Sequence, residues 1–346
     1  MRSAGFNRRA ALGLAIAVML AVAAGWLGID RWLDAPNASD SGHVRVEIPV
    51  GQPFSVTDQD LARHGVIDHP RLLAACARLR GADARIRAGE YDVPPGTSPR
   101  QLLALLESGA VVRRSITIVE GWTFRDLRRA LERDRALVQT LAGQDDGAVM
   151  RALGEPGIAP EGLFFPDTYM YEKGTIDFAI LRKARERMRA EIDTAWRSRA
   201  QGLPLESAYQ ALVLASIVEK ETALPSERAR IAGVFTERLR SRMRLQTDPT
   251  VIYGLGPAFD GNLRRSDLER DGPYNTYTRA GLPPTPIAMP GAASLAAAVR
   301  PDERGETYFV ATGLPDGSHE FSRTLADHER AVARYLRRYR KQTTGH

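Results

Sequence analysis

The chain has 346 residues, 43% of them hydrophobic, and a formal net charge of +6. That gives room for an anchor and two or three compact domains, and too apolar a composition for wholesale disorder. The basic balance favours an acidic partner, but no nucleic-acid-binding motif accompanies it and few aromatics sit in basic stretches, so nucleic acid is set aside.

In chain order, Arg2, Arg8 and Arg9 precede an uncharged run from Ala10 to Ile29, about long enough to span a bilayer as a helix. Trp26 and Trp32 sit where interfacial anchors are expected, and Asp30 and Asp34 follow the run. This pattern predicts a cytoplasmic segment (1–9), a membrane helix (10–29) and an extracytoplasmic body. The competing reading is a cleaved signal peptide ending near Ala21-Val22-Ala23; it is disfavoured because Gly25-Trp26-Leu27-Gly28-Ile29 stays apolar beyond that site. Residues 30–42 read as a polar linker.

A strand is expected in His43–Gly51, helices near Asp58–His64 and Pro70–Leu79, a strand at Gly89–Val93, and a helix capped by Ser98 and ending at Gly109. These form a small domain at 43–113. Cys76, the single cysteine, reads as a buried thiol on an amphipathic helix.

From 114 to 341 the sequence predicts a larger domain. A strand at Ser115–Val119 leads to a helix capped by Thr123, a loop-like stretch from Glu161 to Tyr169, and a helix from Asp177 to about Arg199. Ala208–Val218 is apolar on nearly every helical face, as in a buried helix. A further helix starts at Pro225, where Glu227 has Arg230 at i+3 as its expected ion-pair partner. Turn-rich segments follow at Gln246–Thr250, Tyr274–Tyr277 and Gly281–Pro286, then a strand at Thr307–Ala311 and a basic helix from Leu325 to Lys341. The fold class is therefore α+β.

The buried helix ends in Glu219-Lys220-Glu221-Thr222. Three and four residues from Glu219 lie Ala215, Ser216, Thr222 and Ala223, none of which pairs with a carboxylate. Such a carboxyl is partly desolvated, the setting that suits a general acid. The competing reading is an arginine brought in from elsewhere in the fold. Glu221 points about 200° away around the helix, so the two glutamates do not form one carboxylate pair. The polar residues Gln246, Asp248, Asn275 and Tyr277 suit a sugar ligand or simply build turns. The six histidines show no metal-ligand spacing, and GxSxG, P-loop and dinucleotide-binding patterns are absent, so neither metal nor cofactor is expected.

Several segments, in order, resemble the YceG-like endolytic murein transglycosylases: Glu161-Gly162 with Phe165-Pro166-Asp167-Thr168-Tyr169, Leu214–Thr222, Arg244–Gly254, Tyr274–Tyr277 and Gly281–Ile287. The resemblance implies cleavage of the β-1,4 bond between N-acetylmuramic acid and N-acetylglucosamine in nascent peptidoglycan strands, without water, leaving a 1,6-anhydro end. It places the catalytic acid/base on Glu219, makes the small domain LysM-like, and implies penicillin-binding protein synthases as partners. Gln246, Asp248, Asn275 and Tyr277 are the expected substrate-positioning residues. Two alternatives are a lysozyme-type hydrolase, with Asp248 as second acid, and a non-catalytic wall-binding scaffold.

Overall fold

The structure, a computed structural model, describes residues 4–37 and 42–343. Arg2 and residues 38–41 of the expected linker lie outside them. The chain divides into two compact units, Met1–Arg114 and Ser115–His346.

The first unit opens with α1 (Ala4–Asp34), an unbroken helix. Its stretch Ala10–Asp34 has a mean hydropathy of 2.3 and buries none of its apolar window, so it is long and apolar enough to cross a membrane. Trp26 is exposed, but Trp32 packs on the core of the first unit and tilts against His69, so one of the two expected interfacial anchors serves packing instead. The helix end is fixed by Arg100, which meets Asp30 and Asp34 at 2.6 Å each, and by Leu33, which is buried.

Beyond it, β1 (Val44–Ile48) and β2 (Gly89–Val93) pair antiparallel, with Val44 opposite Val93 and Ile48 opposite Gly89. Between them lie α2 (Phe54–Arg63) and α3 (Pro70–Leu79), and α4 (Pro99–Ser108) follows. Alternation along the strands sends Val46, Ile48, Tyr91 and Val93 inward to meet Leu61, Leu73, Leu102 and Leu106. Ser98 and Gln101 form a capping box at the start of α4, and Gly109 ends it in the left-handed conformation. Cys76 is buried on α3.

The second unit contains β3 (Arg113–Thr117), which enters from the first, then α5 (Phe124–Arg133), α6 (Asp146–Ala152), β4 (Thr168–Glu172) and α7 (Asp177–Arg197). Next come α8 (Ala208–Glu221), α9 (Arg228–Arg240), α10 (Asp248–Leu255), α11 (Arg265–Glu269) and α12 (Ala292–Val299). The chain closes with β5 (Tyr308–Ala311), β6 (His319–Ser322) and α13 (Leu325–Thr343). β3 pairs with β4, and β5 pairs antiparallel with β6. Every residue of α8 from Ala211 to Val218 is buried, because α7, α9, α10 and α12 surround it. An all-round apolar surface therefore meets helices on several sides, which sets α8 rigidly in the core.

Three expectations are corrected. Thr168 and Tyr169, read as the end of a loop, begin β4, with Tyr169 and Tyr171 turned into the core. Asp248–Thr250, the end of a segment read as turn, begins the helix Asp248–Leu255, because Pro249 stands at its first turn, where its missing N–H costs nothing. Glu227 does not take Arg230: its carboxylate accepts from the His319 backbone N–H at 2.9 Å and meets His319 Nδ1 at 2.7 Å, while Arg230 makes a bidentate pair with Glu306. A partner presented across the fold with fixed geometry has displaced the neighbour on the same helix.

Candidate active site

Ser216, one turn before the end of α8, is a buried hydroxyl with two partners. It donates to the Val213 carbonyl at 2.7 Å and accepts from the Ile287 N–H at 3.0 Å. This fastens the proline-rich segment after Gly281 to the helix. The same segment is zipped to the loop after β3, since Gly121 N–H donates to the Met289 carbonyl at 2.9 Å and Met289 N–H to the Trp122 carbonyl at 2.8 Å. Glu120, Gly291 and the last turn of α8 are thereby brought together.

Glu219 stands in that junction with its side chain only 6% exposed. Its Oε2 accepts from the Gly291 N–H at 2.9 Å, and its Oε1 lies 3.4 Å from Arg228 Nη2. The arginine brought in from elsewhere is therefore real: Arg228 is the first residue of α9 and is itself 13% exposed. The contact is longer than a well-formed charge-assisted hydrogen bond. The same guanidinium nitrogen lies 3.9 Å from Glu120, whose side chain is half exposed. Among the described residues, Arg228 Nε is buried without a hydrogen-bond partner. A Cβ at position 291 would fall 1.8 Å from Glu120 Oε1, so a larger residue there would push the Glu120 side chain aside.

Glu221 faces another way. Its carboxyl accepts a hydrogen bond from Thr247 Oγ1, and burial pushes its pKa up, with the Asp248 charge adding to the shift. The residues expected to position substrate gather around this face. Thr247 N–H donates to Thr276 Oγ1 at 3.1 Å, and Gln246 N–H to the Thr276 carbonyl at 3.1 Å. Gln246 is exposed and holds φ +46°, a left-handed conformation uncommon for its residue type. Tyr277 donates to Asp248 Oδ1 at 2.5 Å, and burial raises the Tyr277 pKa. Asn275 is spent within its loop: its amide donates to the carbonyls of Asp267, Leu268 and Arg270, and its oxygen accepts from Tyr277 N–H. It shapes the loop that presents Tyr277, with its amide N–H groups turned to the loop's own carbonyls.

A cleft of 1230 Å³ lies against the end of α8, lined by Lys220, Ile287, Glu161, Tyr253, Tyr274 and the start of α5 among others. Glu161 is buried, and its Oε1 accepts from the Phe124 N–H at 3.0 Å. Burial pushes its carboxyl up to about 7, although Phe124 N–H and the Tyr253 hydroxyl stabilise the anion. Tyr253 stacks edge-on against Tyr274 at 4.8 Å, and Tyr274 is hydrogen-bonded to Thr285 at 2.9 Å. Among the described residues, no group of histidine, cysteine and carboxylates is arranged to hold a metal.

The YceG-like family matches residues 46–334 of this chain. The chain belongs to that family. Among its YceG-like relatives, the endolytic murein transglycosylase of Bacillus subtilis is 31% identical over 310 residues, covering 85% of each chain. The endolytic murein transglycosylase of Streptococcus pneumoniae is 25% identical, and the match covers 91% of this chain but 63% of that longer protein. The crystal structure of a YceG-like protein from Listeria monocytogenes superposes with a TM-score of 0.52 at 29% identity, covering 84% of this chain and 98% of that one.

Arg228, Glu120, Gly291 and Tyr253 are the residues that sequence reasoning did not select, and Glu161 was noticed only as part of a motif. Arg228 and Gly291 carry no local signal, since only the packing of α9 and α12 on α8 brings them to Glu219.

Proposed function

We propose that this protein is a membrane-anchored endolytic transglycosylase of peptidoglycan, with Glu219 as its acid/base. The observation that carries this is the asymmetric setting of Glu219, next to the kinship with endolytic murein transglycosylases. Its Oε2 is fixed by a backbone N–H, while Oε1 faces the Arg228 guanidinium at 3.4 Å. In the protonated state Glu219 gives its proton to the glycosidic oxygen as the C1–O bond breaks and the bonding pair leaves with that oxygen. The carboxylate, now beside Arg228, takes the proton of the muramic acid C6 hydroxyl as its oxygen bonds to C1. The proton balance closes on one carboxyl, and the product is a 1,6-anhydro end. A hydrolase needs a second carboxylate for a nucleophile or an activated water. Asp248, the acid that reading requires, is hydrogen-bonded to Tyr277 beside Glu221, on the other face of the helix end.

Tyr277, Asp248 and Gln246 are proposed to position the strand, with Asn275 holding their loop. The unit containing β1, β2 and α2–α4 is proposed as a LysM-like module that meets the wall, α1 as the anchor with Arg8 and Arg9 on the cytoplasmic side, and peptidoglycan synthases of the penicillin-binding type as partners. Mass spectrometry of the products that the full-length protein makes from uncrosslinked glycan strands tests the reaction. Anhydro ends, lost in Glu219→Gln, are expected. Reducing ends would replace this reading with hydrolysis, and unchanged cutting by the variant would remove Glu219 from the chemistry.

A further inference from the structure

Helix α5 builds one wall of the cleft, and its two faces differ. Phe124, Leu127 and Leu131 are buried in the core, whereas Arg125, Arg128 and Arg129 line the cleft. Arg128 is already engaged, with Asp146 at 3.0 Å and the Leu141 carbonyl at 3.2 Å. Arg125 and Arg129 are exposed and have no ion pair or side-chain hydrogen bond among the described residues. Spaced four residues apart, they stand on one side of the helix, about 6 Å apart along its axis. Asp126, between them in sequence, uses one oxygen, Oδ2, to accept from the Thr123 hydroxyl at 2.6 Å and the Thr123 N–H at 3.0 Å. On the neighbouring wall stands Lys220, the residue after Glu219, which reaches the Gly121 carbonyl at 3.3 Å. The segment from Glu120 to Arg129 thus runs from the junction around Glu219 into a cleft where Arg125 and Arg129 are exposed cations, while the acids on the same wall, Glu132 and Asp146, lie against Arg128 at 3.9 and 3.0 Å.

We propose that Arg125 and Arg129 form a subsite for the carboxylates of the acidic peptide stems that project from the glycan strand. This rests on the murein reading above. Guanidinium groups are suited to carboxylates through paired N–H donors. Two of them spread along a helix fit charges distributed along a peptide. A compact diphosphate, as at the lipid-linked end of a growing strand, would call for the open N–H groups of a helix start. At α5 two of those groups are occupied: Phe124 N–H by the Glu161 carboxyl at 3.0 Å and Asp126 N–H by Thr123 Oγ1 at 3.3 Å.

The test measures binding by full-length protein in nanodiscs, carrying Glu219→Gln to stop turnover, to two probes: uncrosslinked strands with peptide stems, and the same strands stripped of them. Stemmed strands are expected to bind about tenfold more tightly, a preference that fades at high salt. Arg125→Ala with Arg129→Ala should remove that preference while changing affinity for stripped strands less than about twofold, and the double lysine variant should retain part of it. Equal loss on both probes, or no loss on either, overturns the subsite. So does an effect confined to strands ending in a prenyl diphosphate, which would assign the arginines to the lipid-linked end. Cleavage by the protein with native Glu219 is assayed in parallel. If it cuts neither strand type, the murein reading fails; if it cuts while the arginine variants bind like the parent, only the subsite fails.

Discussion

The two faces of the last turn of α8 make an instructive contrast. Glu219 and Glu221 are two residues apart in one helix, yet their surroundings share no polar partner among the contacts described. Glu219 meets a backbone N–H and a guanidinium, in a junction closed by a glycine. Glu221 meets a threonine hydroxyl, near Asp248 and Tyr277, in a knot of loops. One carboxyl has a cation within reach, Arg228 at 3.4 Å. The other is buried beside a second carboxylate; both favour its neutral form, against the Thr247 hydroxyl that donates to it. Proximity in sequence therefore says little about shared chemistry at a helix end; the direction in which each side chain leaves the axis decides it.

The largest effect should separate the faces outright. Glu219→Gln keeps the shape but cannot exchange protons, and strand cleavage is expected to fall by about a thousandfold or more with the folded spectrum retained. Glu221→Gln, measured in the same assay, should cost less than about tenfold; a reversed ranking would move the acid/base to the second glutamate.

Next in size is the pH response of Glu161. Its folded carboxyl is raised to about 7 from the ordinary 4.5, so the native state holds a proton that the unfolded chain releases. Stability is then lost as pH rises between those values, by about 3 kcal/mol at most, and levels off above them. Urea unfolding at pH 5, 6, 7 and 8 should show this slope in the wild type and a shallower one in Glu161→Gln. The contribution of Glu221 has the same sign but is present in both proteins, so the difference between them reads Glu161. Parallel slopes would refute the assignment.

Arg228→Ala removes the cation from the Glu219 face, and a drop in turnover of about tenfold to a hundredfold is expected. Arg228→Lys should recover part of it, because charge is kept but the planar fork is not. A loss in affinity with unchanged turnover would instead make Arg228 a ground-state contact. The smallest effect is expected of Tyr277→Phe, which deletes the hydrogen bond to Asp248 and should cost about 1 kcal/mol in transition-state binding, seen as a several-fold fall in kcat/KM.

How much of this was legible in the sequence depends on whether the signal is local. The caps at Ser98 and Thr123 and the end at Gly109 involve neighbours in the chain, and they were readable. So was the buried character of α8, because eleven consecutive residues carry it. The strand β6 and the helix α12 were not picked out. The first is four residues of mixed polarity whose strand character comes from pairing with β5; the second is a short alanine-rich stretch whose burial comes from α8 and α9. At the site, Glu219 could be singled out because its own helix supplies no partner. Arg228 and Gly291 could not, since each reaches it only through tertiary packing. Asn275 reads as a ligand residue from its type alone, and its bonds to carbonyls five to eight residues back come from the way the loop folds.

The paired aspartates near the end of α1 bear on how the protein stands. Arg100 clamps both Asp30 and Asp34, and the helix has no break between Ala4 and that clamp. With α1 set in a bilayer as proposed, it acts as a mast and not as a tether. The small domain at its head keeps a constant height and heading over the lipid, so its search is two-dimensional, carried by lateral diffusion through a thin slab of the wall.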